Sequence, residues 1–580
     1  MAPVTFQAMD LTSLRAVLAE LKPELLPSRF EKAQQADSHS VQLGFRTLQH
    51  RLWLELSWQA EAPRLHAIEP PPRLGEGSTL AQQLQHGLAS LALVTLEQPS
   101  WERVVHLGFA PRPGESVQRW LVLELMGRHS NLFLLDEQRR VVAAARQVRQ
   151  QQSRLRPIGT GDAYSPPPPL NGQPPSRQES FASWQRQLCL LPLPLLKALQ
   201  SAYQGISPAL ALQLAGDQPD GSPQLLAQTT DSLSPAQWDQ LWARWQAWLM
   251  ALESEHFLFC AANSCAYRCW QEEPAPTDKG HGPGPSLAIN RAIAHYHKDR
   301  LGQRQVEQRK HQLRQRLEQQ LQRERGQEAH QQQLLDQVEN SDQLQEQAHA
   351  LLCVPQPSRE QLAQAQGLYK RARKLRRSVA AITPRLELHR QRIEQLEASL
   401  TYLEHGPNDD NDAALHHLQS LEEECNNLLE LARPGRKLRR HPETAAPSPL
   451  ELASPGGLRL QVGRNHRQNE WISLRQARRG DLWFHAQECP GSHVVLKGSE
   501  GLSGDKDLQA AADLAAHFSR ARGNQRVAVV MVPCDELQRI AGAVPGTVRY
   551  RDGEVIWAEP GRGAALLESA APSLMEEQKP

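Results

Sequence analysis

Gly463 is followed by six consecutive hydrogen-bonding side chains, Arg464, Asn465, His466, Arg467, Gln468 and Asn469. Their guanidinium, amide and imidazole groups are planar and suit phosphate oxygens and base edges. Asp481-Leu-Trp-Phe-His485 then alternates imperfectly and fits a half-buried strand, and Pro490-Gly491-Ser492-His493 is a turn leading into Val494–Leu496. A Gly/Asn-rich surface turn would explain the punctuation of this stretch but not its density of Arg, Asn, Gln and His. A polyanion-binding surface explains both, although spacing alone does not name the polyanion. A second concentration of charge is Lys370, Arg371, Arg373, Lys374, Arg376 and Arg377, six cations within eight residues and no acid between them. Most charge runs are solvated helical faces; here mutual repulsion favours an anionic partner. Near the N-terminus, Gly127-Arg128-His129-Ser130-Asn131 is a more polar turn than a hairpin between two apolar strands requires. Glu102-Arg103 at a strand start reads as an ordinary surface pair, worth little by itself.

Other chemistries find no support. There is no G-x-x-x-x-G-K-[ST], no G-x-S-x-G and no metal-ligand array, so no catalytic residue, cofactor or metal is expected. The 8 cysteines include no C-x-x-C, and Cys260, Cys265 and Cys269 have poor zinc spacing. Lys plus Arg is 65 against 64 Asp plus Glu, a net charge of +1, so any basic surface must be local. Residues 1–10 carry no basic or apolar signal region, and runs such as Leu91–Leu96 fall far short of the ~20 residues that span a bilayer. A cytoplasmic protein without membrane contact is expected.

At 580 residues the chain exceeds one core. The expected fold class is α+β and multidomain. Residues 1–150 read as an α+β domain on an antiparallel sheet: a helix from Leu11 to Leu21, with Asp10 as N-cap and Pro23 as its stop, strands at Val41–Arg46, Arg51–Trp58, Arg103–Phe109, Arg119–Met126 and Asn131–Asp136, and a helix over Leu80–Leu93. Residues 151–180, rich in Gln, Pro, Gly and Ser, read as a linker. Residues 181–285 are helical. Within them Gly205-Ile206-Ser207-Pro208 looks like a helix–hairpin–helix turn, equally readable as a plain helical hairpin, and Trp238, Trp242, Trp245 and Trp248 look like a core stripe.

Residues 286–405 read as a long antiparallel coiled coil turning near Val354–Ser358. Val306, Leu313, Leu317 and Leu321 form a sparse seam interrupted at Gly326. Leu368, Ala372, Leu375, Val379, Ile382 and Leu386 form a cleaner one, with Pro384 expected to kink its helix. At ~1.5 Å per residue, an arm of about 45 residues reaches roughly 65 Å, toward something large. A helix and a basic, Pro-rich linker fill 406–455, and 456–562 form a C-terminal α+β domain. There, Leu508–Arg522 is helical, Val527–Val532 is a strand, and Val548–Arg551 pairs with Glu554–Trp557 around Asp552-Gly553. Residues 563–580 are expected to be a disordered tail.

The segments G-R-N-x-x-Q-N, D-L-W-F-H-A and P-G-S-H-V-V, in this order, resemble the RNA-binding domain of NFACT proteins, whose bacterial members are the RqcH-type ribosome-quality-control factors. M-D-L-T-S-L-R-A-V-L-A-E-L-K-P, W-E-R-V-V-H-L-G-F and L-V-L-E-L-M-G-R-H-S-N-L-F-L-L-D resemble the family's N-terminal domain. The resemblance implies a tRNA-binding set at Asp10, Glu102, Arg103, Arg128 and His129. Glu102 stands where the family usually has Asp, which keeps the charge and adds one methylene. It further implies RNA binding by Arg464, Asn465, Arg467, Gln468, Asn469, His485, Ser492 and His493, and a face toward rRNA or tRNA at Lys370–Arg377. The Lys-rich stretch that family members carry before P-G-x-V is here Arg539–Val548, largely without lysine.

What the resemblance implies is a binding factor, not an enzyme, working as a monomer on an obstructed large (50S) ribosomal subunit that carries peptidyl-tRNA. It recruits tRNA, chiefly tRNA-Ala, for template-free tailing of the nascent chain, and the ribosomal peptidyl-transferase centre makes the bonds. One alternative is a cell-surface fibronectin-binding adhesin, which would need an unconventional route of export. Another is a DNA-glycosylase-like enzyme, which would need an N-terminal Pro-Glu where this chain has Met-Ala-Pro-Val, and a four-Cys finger that the sequence lacks.

Overall fold

Alternation in Ser40–Arg46 and Arg51–Ser57 sets Val41, Leu43 and Phe45 opposite Leu56, Leu54 and Leu52, all on one buried face. These two strands seed the N-terminal sheet. The structure, a computed structural model, describes residues 7–73, 78–168, 171–216, 224–263, 266–271, 287–407, 410–431, 447–540 and 545–576. The chain divides into two units, Met1–Leu301 and Gly302–Pro580.

In the first unit, helix α1 (Leu11–Leu25) precedes strands β1 (Ser28–Asp37), β2 (Ser40–Arg46), β3 (Arg51–Ser57) and β4 (Arg64–Ile68). Helix α2 (Thr79–Gly87) leads to β5 (Ala92–Glu97), β6 (Val104–Ala110), β7 (Arg119–Glu124), β8 (Asn131–Leu135) and β9 (Val141–Ala144). The strands form one antiparallel sheet of order β4-β3-β2-β1-β5-β6-β7-β8-β9. Leu14, Val17, Leu18 and Leu21 of α1 and Leu84 of α2 join Phe45 and Phe109 of the sheet in its core. The expected α+β class with an antiparallel sheet is what the structure shows.

Three local expectations are corrected, and strand β1 is added. Pro23 does not stop α1 but lies inside its last turn. β1 reads as polar, yet buries Phe30 and Ala33 by pairing with β2. The helix expected over Leu80–Leu93 ends at Gly87, and Leu91 and Leu93 turn back into the core as β5 begins. The expected linker folds onto the sheet over its first half: Ile158 is buried, and Arg156 reaches Glu124, a buried carboxylate of β7, at 2.6 Å. The uncompensated charge of Glu124 gives this Pro-rich segment a fixed place that its composition does not reveal.

Helices α3 (Phe181–Leu188), α4 (Leu195–Ala202), α5 (Pro208–Ala215), α6 (Gln224–Ala227) and α7 (Pro235–Ser254) enclose a second core around Trp184, Trp238, Trp245 and Trp248. The Trp stripe is thus packing. A small hairpin follows, β10 (Cys260–Asn263) with β11 (Ala266–Arg268).

Helices α8 (Ala288–Leu352) and α9 (Arg359–Glu404) run antiparallel. Arg314 meets Glu404, Arg325 meets Glu397, Arg390 meets Glu328 and Arg376 meets Asp342, so partner numbers fall along one arm as they rise along the other. The seam Leu313, Leu317, Leu321 packs with Leu396 and Leu403, and helix α10 (Asn411–Leu431) adds Leu418 and Leu421. Neither Gly326 nor Pro384 breaks its helix. The turn falls where expected, and Ser358 caps α9 by accepting from the Gln361 amide. The basic linker at 432–446 lies outside the described residues.

The C-terminal sheet has the order β12-β13-β15-β14-β16-β19, with β12 (Leu450–Ala453), β13 (Arg459–Val462), β14 (Leu482–Ala486), β15 (Val494–Leu496), β16 (Val527–Pro533) and β19 (Glu554–Ala558). One face is covered by α12 (Asp505–His517) and α13 (Pro560–Glu576). The other carries α11 (His466–Glu470), continued by a π-helical turn over Trp471–Arg475, and the strand pair β17 (Gln538–Arg539) and β18 (Val548–Arg549). Three expectations change here. The stretch after Gly463 is helical, because the Asn465 side chain caps it on the Gln468 amide. β18 pairs with β17, and β19 pairs with β16, so no hairpin closes around Asp552-Gly553. Residues 563–576 continue α13, held by Leu566 and Leu567 against the core and by Arg562 on Asp513 at 2.8 Å, where a disordered tail was expected.

Candidate nucleic-acid interface

In the first unit the structure brings Asp10 and Arg103 to the hairpin turn between α4 and α5, while Glu102 is half-buried and does not line the cavity there. Gly205 there has φ +79, a left-handed backbone that glycine adopts without strain. Ser207 caps α5, and Pro208 occupies its first turn. Asp10, Trp101, Arg103, Gly205 and Ser207 line a cavity of about 390 Å³. Arg103, at the start of β6, points its chemistry there while its carbonyl accepts from Leu125 N. Asp10 is 3% exposed and its carboxylate is consumed internally. One oxygen accepts from the Ser13 amide at 2.9 Å and hydroxyl at 2.7 Å, the other from the Ser207 hydroxyl at 2.7 Å. Asp10 is therefore a cap and a brace between α1 and α5. Asp10→Ala is expected to cost about 1–2 kcal/mol, read as a lower denaturation midpoint, while Asp10→Asn retains most of the cap.

Arg128 and His129 are exposed on the turn after β7, where Arg128 Nε donates to His129 Nε2 at 3.0 Å. Arg146 supports the turn from beneath by donating to Arg128 O. These two side chains lie outside the cavity that Arg103 lines, at the end of the β6–β7 pair where Leu125 meets Arg103.

In the second unit the motif divides into braces and open groups. Asn465 caps α11 and donates to Ser420 on α10; Asn469 donates to the Tyr402 hydroxyl at 2.8 Å and accepts from His493 N. Glu424 of α10 accepts from the backbone amides of His466 and Arg467, both at 3.1 Å. Burial raises the Glu424 carboxyl to about 7, against the lowering effect of those two amides. Ser492 and His493 are buried, and His493 Nδ1 lies 2.8 Å from Ser473 Oγ. Burial pushes His466 and His485 down to about 4 and His493 well below the usual histidine range, so these rings are neutral at pH 7. Asn465, Asn469 and His493 thus fasten the helical segment to α9, α10 and the sheet. Burial also depresses the half-buried Arg464, while Gln468 is half-buried with its amide on Ser448 O. Of the motif, Arg467 is fully open.

The open cations around it were not singled out from the sequence. Arg475 ends the π-helical turn and Arg539 lies on β17; both approach the nearly buried Glu470, at 3.7 and 3.0 Å, and expose most of their surface. Arg549 is exposed beside Gln538 on β18. Arg478 and Arg479 are exposed on the following loop. Lys497 is withdrawn, buried on Asp481 at 2.9 Å. The signal for Arg539 and Arg549 was faint: two arginines flanking Pro545-Gly546, in a stretch conspicuous for lacking lysine. The arrangement offers largely exposed forked donors, two of them held through a terminal nitrogen by Glu470, which suits phosphate oxygens. Lys370, Arg371, Arg373, Lys374, Arg376 and Arg377 are all exposed on α9, and among the described residues Arg376 alone of these six is ion-paired.

Residues 10–362 match the family profile described as NFACT N-terminal and middle domains. The chain belongs to the NFACT family. Residues 453–552 match the NFACT protein RNA-binding domain, so the arginine set of the second unit lies on the domain with that name. The protein named Rqc2 homolog RqcH from Streptococcus pneumoniae is 25% identical over 579 residues, covering 94% of this chain and 97% of its own. That of Bacillus subtilis is 28% identical over 204 residues, 35% of this chain. A solved C-terminal part of the fibronectin/fibrinogen-binding protein of Streptococcus suis is 28% identical, covering 45% of this chain and 98% of its own, with a TM-score of 0.36. The N-terminal part of that protein is 18% identical, covering 50% of this chain and 100% of its own, with a TM-score of 0.36. Among the described residues no helix of this NFACT protein is long and apolar enough to cross a membrane, and no three His, Cys, Asp or Glu side chains group as metal ligands.

Proposed function

We propose that this NFACT protein is a cytoplasmic ribosome-quality-control factor. It holds a large (50S) subunit obstructed by peptidyl-tRNA and recruits tRNA, tRNA-Ala foremost, for template-free tailing of the stalled chain. The observation that carries this reading is the end-to-end similarity to RqcH proteins, in a chain whose C-terminal RNA-binding domain presents open arginines on a braced helical segment. The protein's share is positioning: Arg103 at the hairpin cavity with the adjacent Glu102, and Arg128 with His129 on the turn after β7, bind tRNA, and the open cations of α9 meet rRNA. The peptidyl-transferase centre supplies the chemistry.

Co-sedimentation with purified large subunits, followed by sequencing of the RNA that copurifies with the tagged chain, tests this. The expected result is binding that weakens with salt, and a copurified pool dominated by one or a few tRNAs. Changing Lys370, Arg371, Arg373, Lys374 and Arg377 to glutamine is expected to lower subunit binding roughly tenfold or more, with Arg376 kept for its ion pair. A chain that sediments alone and carries no tRNA refutes the reading.

A further inference from the structure

β19 is an outer strand of the C-terminal sheet. Its register with β16 sets Trp557 opposite Ala528 and Val555 opposite Val530. Side chains alternate along a strand, so Trp557 and Val555 share the face that carries Val532 on β16 and His485 and Trp483 on β14. Toward the middle of the sheet this face is covered by Trp471, Leu474, Val548 and Tyr550. Toward β19 the cover ends, leaving Trp557 62% and Val555 44% exposed.

A lone exposed apolar residue needs no explanation; the surroundings of this one do. Arg526, two residues before Ala528 and so on the same face, is exposed and stands 3.7 Å from Glu559. Arg522, Asn524 and Gln525 are exposed in the loop leading to it. Arg549 and Arg551 are exposed in the segment that leads into β19. Between 453 and 552 there are fourteen Lys and Arg against ten Asp and Glu, a local net of +4 in a chain whose total is +1. An exposed indole plate with the Arg526 guanidinium beside it fits a nucleobase with an adjoining phosphate, since every base has a π-face and stacking tolerates sequence.

We propose that Trp557 is a stacking platform for one unpaired RNA base, with Arg526 toward an adjoining phosphate. This rests on the reading of the domain as RNA-binding and assigns it a preference for unpaired RNA over continuous duplex. The test is fluorescence anisotropy on the full chain, using a labelled hairpin RNA with an unpaired loop and a blunt duplex RNA with the same number of phosphates. Trp557→Ala is expected to weaken loop binding by about tenfold, a stacking loss, to leave duplex binding and the salt slope unchanged, and to be largely rescued in Trp557→Phe. Equal affinity of parent and Trp557→Ala for the loop RNA overturns the proposal and leaves the strip to a protein partner. Equal losses on both RNAs overturn it too, since stacking discriminates and charge does not. A parent chain that binds neither RNA fails differently, by removing the RNA-binding reading itself. Trp557 is exposed and its backbone carbonyl, which accepts from Gln509, is kept in every variant, so folding is preserved.

Discussion

Changing Arg475, Arg539 and Arg549 together to glutamine is expected to weaken binding of structured RNA by roughly a hundredfold at physiological salt, and to lower the slope of log affinity against log salt by about 2. Each of these side chains is exposed, and two are steadied at a terminal guanidinium nitrogen by Glu470, so little freedom is lost when a phosphate arrives. Glutamine removes the charge but keeps an amide donor for Glu470, which is nearly buried and would be destabilising if left alone. Salt titrations of parent and triple variant measure the effect. An unchanged slope, with the variant folded, would exclude these arginines from the phosphate contacts.

Acidification is expected to unfold the second unit well before pH 4. His405, His417, His466 and His485 are each pushed down to about 4, chiefly by burial, and His493 lower still. The sign follows from linkage. The unfolded chain takes up protons near the usual histidine value of ~6.5, while the folded chain refuses them, so the stability these rings contribute is complete above ~6.5 and is lost as pH falls toward 4. At ~1.4 kcal/mol per pKa unit the four rings together remove on the order of 10 kcal/mol across that window, comparable with the whole stability of a domain. Glu424 acts in the opposite sense. Its carboxyl is raised to about 7, so its ionised form burdens the folded state, and protonation below 7 relieves that burden. One carboxyl against five histidines leaves a net acid loss. Chemical denaturation at pH 7.5, 6 and 5 measures it, and a midpoint that does not move between 7.5 and 5 would rule it out.

The two effects meet in the segment from Asn465 to Arg475. Asn465, His466 and Asn469 hold the segment after Gly463 in place; Arg467 and Arg475 are left for a ligand. Side-chain type could not separate them, because asparagine and arginine both offer planar donors. Burial separates them: Asn469 lies between the Tyr402 hydroxyl and the His493 amide, and that site exists only once α9 and β15 have packed around it. Asp10 shows the same limit in the first unit, where the Ser207 hydroxyl, far along the chain, takes the oxygen that a cap leaves over.

Periodicity by itself determined five of the nine N-terminal strands, the paired arms of α8 and α9 with their turn before Ser358, and the tryptophan core of α7, since each of these depends on spacing within one segment. The order of the short motifs pointed to the family, since three segments in sequence are far more specific than any one. Tertiary structure alone decided which polar groups are braces and which are open. It folded Arg156 back onto Glu124, paired β18 with β17 instead of β19, and drew α13 onto the C-terminal sheet, because each of those outcomes satisfies a buried charge, a backbone edge or an apolar face supplied by a distant part of the chain.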